Sequence, residues 1–277
     1  MTTANPGLNV QALRALRATT RDLPLVRDRI RTHLDAHEGY VAFSGGKDSL
    51  VALHLAHQAV PDVPVVFFDS GLEYPETYAY LVDLAEAWDL NLHVMAPSAG
   101  ALELMASAGG WDHTAPDQAV PDMHTVLITE PAAAAHRAHG PGEIWGVRAA
   151  EARGRAAAYT NALRRHPCTC PRPCSSPQER RAHHGGRVAR NDGTVAYGPA
   201  WDWSTEEVWT YIARQKLPAN PVYAKLQRLG APEHALRVST MLDGSHLTEG
   251  RITWLRRGWP DLFEELAAVL PRLREYV

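Results

Sequence analysis

Ten residues near the N-terminus, VAFSGGKDSL at 41–50, place hydroxyls, glycines, a lysine and an aspartate between an apolar run and a helical pattern. Glycines let backbone N–H groups turn closely around a ligand, and the first amides of a helix carry partial positive charge. The pattern is typical of an anion cradle, and we expect a polyphosphate. The cradle residues are Ser44, Gly45, Gly46, Lys47, Asp48 and Ser49.

A plain glycine turn beside a surface lysine is the simpler interpretation of this stretch. Four further polar residues and the strand-to-helix context favour the cradle. The loop lacks the G-x-x-x-x-G-K spacing of a Walker A motif.

All three cysteines of the chain fall within seven positions, in CTCPRPC: Cys168, Cys170 and Cys174. Thiolates this close suit a soft metal or an iron–sulfur cluster, and the intervening prolines stiffen the loop. We favour a [4Fe–4S] cluster; a zinc site completed by His166 or His183 is the competing interpretation, and three unconnected thiols is the third. The spacing does not separate cluster from zinc.

The elements that must position these residues alternate along the chain. YVAF, VPVVFFD, NLHVMAP and GEIWGVR are apolar runs of strand length, and helical patterns such as DSLVALHLAHQAV and PETYAYLVDLAEAWD lie between them. Such alternation predicts an α/β fold, with an open, mostly parallel sheet and helices on both faces. Residues 157–200 are predicted to be irregular, and the segments WDWSTEEVWTYIARQ and PDLFEELAAVLPRLREY to be helices.

We therefore divide the chain into three regions. Residues 1–20 form an N-terminal extension, 21–200 the nucleotide-binding α/β domain with a cysteine-containing loop at 166–190, and 201–277 a C-terminal helical region that closes over the site. Ligands in open α/β sheets lie at the carboxyl ends of strands. Ser44, Asp69 and Arg148 each follow a predicted strand, which indicates a nucleotide site.

Bulk composition restricts the protein class. The 277 residues are 45% hydrophobic and carry a net charge of −3, which gives no whole-protein attraction to nucleic acid or membranes, although arginines cluster around 137–190. No stretch approaches about 18 consecutive apolar residues, and the first residues do not resemble a secretory signal. The few, clustered cysteines do not suit a disulfide framework. We expect a cytoplasmic protein without membrane contact.

Four motifs carry a family resemblance. The loop is similar to the S-G-G-x-D-S pyrophosphate loop of the adenine nucleotide alpha-hydrolase-like (PP-loop) ATP pyrophosphatases, and FFDSGLEYPETYAYL resembles the D-T-G-x-x-F-P-E-T motif of their phosphoadenylyl-sulfate (PAPS) reductase family. GVRAAEARGRA resembles that family's G-x-R-x-x-E-S-x-x-R, with Ala152 in place of the serine, and WDWSTEEVWTYI resembles its W-[ST]-x-x-D-V-W-x-Y-I segment. The resemblance spans about residues 35–260.

This resemblance implies ATP and Mg²⁺ at the loop, Asp69 or its neighbouring backbone at the nucleoside, and Arg148 and Arg155 at anionic groups. It implies catalytic roles for Lys47, Asp48 and Arg148. The further nucleotide-binding residues implied are Ser70, Gly71, Gly146 and Glu151.

Reductases of this family attack sulfate sulfur with a cysteine in a C-terminal E-C-G-x-H sequence, and no cysteine follows Cys174 here. We therefore expect no PAPS reduction. The chain instead resembles the sulfur-activating ATP pyrophosphatases, including those of DNA phosphorothioation systems, in which an open iron of a three-cysteine cluster would accept sulfide.

The predicted function is ATP pyrophosphatase activity that adenylates an acceptor and supports sulfur transfer, with DNA phosphorothioation as one setting. Thiolation of a tRNA or metabolite, PAPS reduction, and ATP binding without turnover are the alternatives. The expected partners are a sulfur donor such as a cysteine desulfurase and DNA reached through partner subunits; a homodimer is left open.

Overall fold

The computed structural model describes residues 21–107, 124–166, 172–238, 242 and 251–277. Within them, six strands form one sheet in the order β3-β2-β1-β4-β6-β5. The strands are β1 (Gly39–Ala42), β2 (Val65–Phe68), β3 (Leu92–Met95), β4 (Gly142–Trp145), β5 (Arg187–Ala189) and β6 (Val195–Tyr197). The predicted α/β fold with a mostly parallel sheet is confirmed.

The helices of the described residues connect and follow these strands. They are α1 (Leu23–His37), α2 (Lys47–Ala59), α3 (Pro75–Trp88), α4 (Ala101–Ser107), α5 (Glu130–His139), α6 (Arg153–Arg165), α7 (Pro177–His184), α8 (Thr205–Gln215), α9 (Pro221–Arg228), α10 (Arg251–Gly258) and α11 (Pro260–Val269). Shorter turns of helix are a π-helix at Thr125–Thr129 and 3-10 helices at Ala149–Glu151, Glu233–Ala235 and Pro271–Tyr276.

Strand register follows the apolar runs. β2 pairs with β3 in parallel, with Val65 opposite Leu92. β4 pairs in parallel with β6, and β5 closes this side of the sheet by pairing with β6 in the antiparallel sense. β6 is buried along its whole length, whereas the edge strand β5 is only partly covered.

The predicted helix starts are confirmed where the sequence carries a start signal. α3 begins at Pro75, whose missing N–H costs nothing in the first turn. α8 begins after Ser204, whose hydroxyl accepts from the Glu207 amide at 3.1 Å while the Glu207 carboxylate accepts from the Ser204 amide at 2.8 Å. This reciprocal pair is a capping box.

The prediction that 157–200 is irregular is wrong in large part. α6 extends to Arg165, and its Tyr159 is buried and donates to the Val147 carbonyl at 2.7 Å, which ties this helix to the end of β4. α7, β5 and β6 follow within the same stretch. A signal for α7 was present: Ser176 accepts from the Glu179 amide at 3.0 Å, directly before Pro177.

The C-terminal segment predicted as one helix is two elements. α11 ends at Val269, and residues Pro271–Tyr276 form a 3-10 helix. Pro271 explains the break, because proline lacks the N–H that a continuing α-helix needs and its ring crowds the preceding turn.

The described residues divide into two compact units. The first comprises 21–41, Lys47–Val63 and Pro141–Ala219, and the second comprises Ala42–Gly46, Pro64–Gly140 and Asn220–Val277. The three-region division from sequence stays a prediction. No helix in the described part of the chain combines the length and hydropathy needed to cross a bilayer.

Candidate functional site

The three residues predicted to be catalytic meet in the first unit. Arg148 Nε donates to Asp48 Oδ1 at 2.6 Å, and Lys47 Nζ donates to Asp48 Oδ2 at 2.7 Å. Both carboxylate oxygens of Asp48 therefore face a cation. Asp48 lies in the first turn of α2, where a carboxylate is also favoured by the helix dipole.

Arg148 is held in place on every side of its guanidinium. Besides Asp48, it donates from Nη1 to the Trp203 carbonyl at 2.9 Å and from Nη2 to Thr205 Oγ1 at 3.3 Å. Its side chain is only 3% exposed. Such a rigid, buried arginine positions Asp48, and the predicted contact between Arg148 and an anionic group stays a prediction.

Gly146 permits a close approach of the chain after β4 to the start of α2. A Cβ at this position would lie 2.4 Å from the Ser49 amide nitrogen and 2.7 Å from the Asp48 carbonyl carbon. Only a residue without a side chain fits against that backbone. Gly146 therefore allows the backbone of Asp48 and of the buried Ser49 to pack directly against the chain after β4.

Glu151 and Arg155 form an exposed pair beside this cluster. The Glu151 carboxylate accepts from the Arg148 amide at 2.9 Å and from Arg155 Nη1 at 2.6 Å. Ala152, which stands where the family motif has serine, is the N-cap of α6 and makes no side-chain cap bond. The departure from the motif thus leaves one helix end without its cap.

The first half of the predicted cradle belongs to the second unit. Gly45 adopts φ +72°, and a Cβ there would lie 3.1 Å from Thr77 Cγ2. The buried amide of Asn220 donates to the Gly45 carbonyl at 3.4 Å and to Thr77 Oγ1 at 3.0 Å. Asn220 also caps α9, accepting from the Val222 amide at 3.0 Å. Ser44 is exposed beside Gly46.

Asp69 shapes the turn that follows β2. Its Oδ1 accepts from the Gly71 amide at 2.8 Å and from the Tyr78 hydroxyl at 2.7 Å. Burial and this bond to Asp69 raise the pKa of Tyr78. Ser70 donates to Glu73 at 3.1 Å and accepts from the Leu72 amide at 3.2 Å. The nucleoside contacts predicted for Asp69, Ser70 and Gly71 stay predictions.

Glu76 joins three helices of the second unit. Its carboxylate accepts from Lys225 Nζ at 2.7 Å and from Trp259 Nε1 at 2.7 Å, and the Lys225 ammonium lies 4.0 Å from the Trp259 ring centroid. Partial burial opposes ionisation, but the bonds from Lys225 and Trp259 outweigh it and lower the pKa of Glu76. Burial raises the pKa of neighbouring Tyr74 to about 12.

Of the predicted metal ligands, Cys174 is described and half-buried, whereas Cys168 and Cys170 lie outside the described residues. The His166 and His184 rings have centroids 5.4 Å apart. Burial comes first among the causes that lower the pKa of both histidines. Within the described ranges, no three His, Cys, Asp or Glu side chains are grouped as a metal site. Cluster and zinc both stay predictions.

The sequence analysis missed the neutral side chains that hold the loop and Arg148 in place. Asn220, Thr77 and Thr205 contact cradle residues or Arg148. The Asn-Pro pair at 220–221 signalled a helix start. Nothing in the sequence indicated that the same amide reaches Gly45, which is 175 positions away.

A mostly parallel sheet, with polar residues after the ends of β1, β2 and β4, defines an α/β protein of the adenine nucleotide alpha-hydrolase-like class. Within it, the chain belongs to the phosphoadenosine phosphosulfate reductase domain family, whose pattern matches residues 38–232.

A curated relative is the phosphoadenosine 5'-phosphosulfate reductase of Alkalilimnicola ehrlichii, 28% identical over 234 residues and covering 83% of each chain. Two solved structures are also similar. The phosphate complex of PAPS reductase from Candida auris has a TM-score of 0.47 and 16% identity, covering 79% of this chain and 95% of that one. The U34-tRNA thiolase NcsA from Methanococcus maripaludis, with its [4Fe-4S] cluster, has a TM-score of 0.46 and 13% identity, covering 92% and 80%. Neither structural likeness bears on the reaction.

Proposed function

We propose that this protein binds ATP, cleaves it between the α- and β-phosphates, and supports sulfur transfer to the adenylated acceptor. The observation that carries the proposal is the intact loop Ser44–Ser49, with Gly45 in a left-handed conformation and Lys47 and Asp48 opening α2. Its glycines and helix N-terminus suit a pyrophosphate.

The proposed first step is a displacement at the α-phosphorus. An acceptor atom forms a bond to phosphorus, the bond to the α–β bridging oxygen breaks, and pyrophosphate leaves with that electron pair. Catalysis of such a step depends on positioning and charge stabilisation. Lys47 and the loop amides would balance charge on the leaving group, and Arg148 would act by fixing Asp48.

Mg²⁺ would be held by the ATP phosphates and the Asp48 carboxylate, whose oxygen donors suit a hard cation. When bound, it neutralises phosphate charge. In the second step, a sulfur nucleophile displaces AMP from the adenylated acceptor. The cysteines at 168–174 would hold an iron–sulfur cluster or zinc.

Pyrophosphate release tests the first step. Purified protein with ATP, Mg²⁺ and candidate acceptors should release pyrophosphate and AMP, and Lys47→Ala should lose most of this activity. Arg228→Ala, which removes an exposed cation from the last turn of α9, is the matched control. Equal activity of Lys47→Ala and wild type, or ADP and phosphate as products, would contradict the assignment of residues 44–49 as a pyrophosphate-binding loop.

Metal content tests the second step independently of turnover. Anaerobically purified protein should be brown and contain iron and acid-labile sulfide in similar amounts, and Cys170→Ala should abolish both while ATP binding persists. Colourless protein with one zinc would refute the cluster. Metal-free protein with three titratable thiols would refute any metal site.

PAPS reduction is the second candidate, because the named relatives are PAPS reductases and the chain belongs to their family. Sulfite release from PAPS with a thioredoxin system, measured on the same preparation, decides between the two. Turnover to sulfite without pyrophosphate release from ATP would replace our proposal. The acceptor is proposed to be the DNA backbone, with tRNA or a metabolite to be compared in the same assay; ATP binding without any product would indicate a non-catalytic subunit.

A further inference from the structure

Between residues 153 and 190 the chain is strongly basic, although its net charge is −3. This segment carries nine arginines and a single acidic residue, Glu179. The arginines are at 153, 155, 164, 165, 172, 180, 181, 187 and 190. The segment comprises α6, α7 and β5, all within the first unit. Its charge therefore contrasts with that of the rest of the protein.

One side of α6 presents part of this charge to solvent. Arg153 and Arg164 are eleven positions apart, about three turns or roughly 17 Å along the axis, so both lie on one face. Both are exposed, as is Arg165. Within the described residues, none of the three has a carboxylate partner.

Helix stability does not explain Arg153. A cation in the first turn of a helix opposes the helix dipole, and Arg153 begins α6. The acidic neighbour at this end, Glu151, is paired with Arg155. Arg153 is thus placed where it weakens its own helix, which points to a role outside the fold.

A cavity of about 460 Å³ lies beside this face, between α6 and the edge strand β5. Its polar lining comes from Asn161, Arg165, His166 and Arg187, and its remaining walls are small apolar side chains. No carboxylate lines it. The cavity is therefore shaped and charged for an anion and larger than a single phosphate group needs.

Neighbouring groups add to the positive potential without cancelling it. Arg180 Nη2 donates to the Leu163 and His166 carbonyls at 3.0 and 2.7 Å, at the end of α6. Arg187 Nη2 lies 3.0 Å from His37 Nε2, with no carboxylate in the pair.

We propose that this face of α6, with the cavity beside it, binds the phosphodiester backbone of a nucleic acid. One phosphate occupies the cavity, and Arg153 and Arg164 contact phosphates farther along the strand. The spread of charge over roughly 17 Å is longer than a triphosphate group and suits a polymer with one charge per residue.

This inference deepens the proposed function, whose acceptor is the DNA backbone, but its test needs no ATP, so the two proposals can fail separately. Fluorescence anisotropy is measured with labelled single-stranded DNA, duplex DNA and RNA of about 20 nucleotides over a series of salt concentrations. Wild type should bind at least one of them, and the logarithm of affinity should fall linearly with the logarithm of salt concentration.

The variant Arg164→Gln/Arg165→Gln should bind at least about tenfold more weakly and reduce the salt slope by about two, one for each arginine that no longer neutralises a phosphate. Arg228→Gln/Arg257→Gln is the matched control, because these arginines are also exposed in the last turns of their helices. The control should leave affinity and slope unchanged. Equal loss in both double variants would overturn the surface assignment.

The cavity is tested separately with Asn161→Leu, which removes the side-chain amide from its lining without changing charge. Affinity should fall about fivefold, the value of one hydrogen bond, while the salt slope stays at the wild-type value. Unchanged affinity would remove the cavity from the proposal. Absence of binding to all three nucleic acids at low salt, or equal displacement of the probe by polyglutamate, would overturn the proposal as a whole.

Discussion

Asp48 and Gly45 belong to the same loop, yet they are held by opposite kinds of interaction. In the first unit, Asp48 lies between the cations Lys47 and Arg148. In the second unit, Gly45 is held by neutral groups, through the Asn220 amide and its bond to Thr77. An ion pair that loses one member leaves an uncompensated charge, whereas a neutral network loses its bonds one at a time. Substitutions in the two halves of the loop should therefore lower the free energy of unfolding by different amounts.

The largest loss of stability is expected when the charged anchor of the loop, the pair formed by Arg148 and Asp48, is broken. Arg148→Met should destabilise the protein by about 3 kcal/mol, because the Trp203 carbonyl and one side of Asp48 lose their buried partner. Urea denaturation measures this loss.

Two companion variants sharpen the result. Asp48→Asn in the Arg148→Met background should lower stability further, since Asp48 stays paired with Lys47 after Arg148 is removed. Arg155→Met, which breaks an exposed pair, should change stability by less than about 1 kcal/mol. A single Arg148→Met variant no less stable than Arg155→Met would contradict the anchor.

Breaking the neutral anchor of the loop, which is the Asn220 amide and its bonds, should cause an intermediate loss of stability. Asn220→Ala removes the cap of α9 and the bonds to Thr77 and Gly45, and should cost about 2 kcal/mol. Asn220→Ser keeps a capping oxygen and should recover the capping part alone. If serine restored full stability, the bonds to Thr77 and Gly45 would contribute nothing.

A charged contact in the second unit tests whether the loss of stability depends on the charge of the substituted group or on the unit in which it lies. Glu76→Gln should cost about 1–2 kcal/mol at neutral pH, because Glu76 bonds Lys225 and Trp259. The lowered pKa of Glu76 means that its contribution is complete above the ordinary glutamate pKa of about 4.3 and is lost as pH falls through the lower folded value. Stability curves of the two proteins should therefore converge in acid. Glu264→Gln, an exposed pair with Arg274, should have little effect at any pH.

The smallest expected effect is a gain in stability, produced by adding a neutral capping group in the first unit. Ala152→Ser should stabilise the protein by about 0.5–1 kcal/mol, because residue 152 has the extended backbone of an N-cap and lacks a capping side chain. Thermal unfolding measures the gain. Ala157→Ser, at an exposed position inside α6, should lower stability slightly; a gain there as well would point to serine itself and not to the cap.

The sheet was predictable where strands are apolar runs separated by long helical patterns, as from β1 to β4. β5 and β6 were missed because strands of three residues carry too little pattern, and β6 is defined by its pairing with β4. The sequence of α7 did contain a cap, Ser176 with Glu179, but the surrounding prolines and histidines favoured an irregular interpretation.

The charged members of the candidate site could be found from sequence because lysine, aspartate and arginine at strand ends are conspicuous. The structure adds that Arg148 and Asp48, a hundred positions apart, form a pair. Such pairing follows from tertiary packing and has no local signature. The neutral partners Thr77 and Asn220 resemble ordinary helix-start residues, so their contacts emerge only from the fold.

The bonds of Arg21 have a consequence for the order in which the chain folds. Arg21 donates to Asp202 and Glu207, which are 181 and 186 positions later in the chain. Because synthesis proceeds from the N-terminus, this arginine emerges from the ribosome long before its partners. The first unit is also interrupted by residues 64–140 of the second. The first unit therefore cannot complete its contacts until α8 has been synthesised.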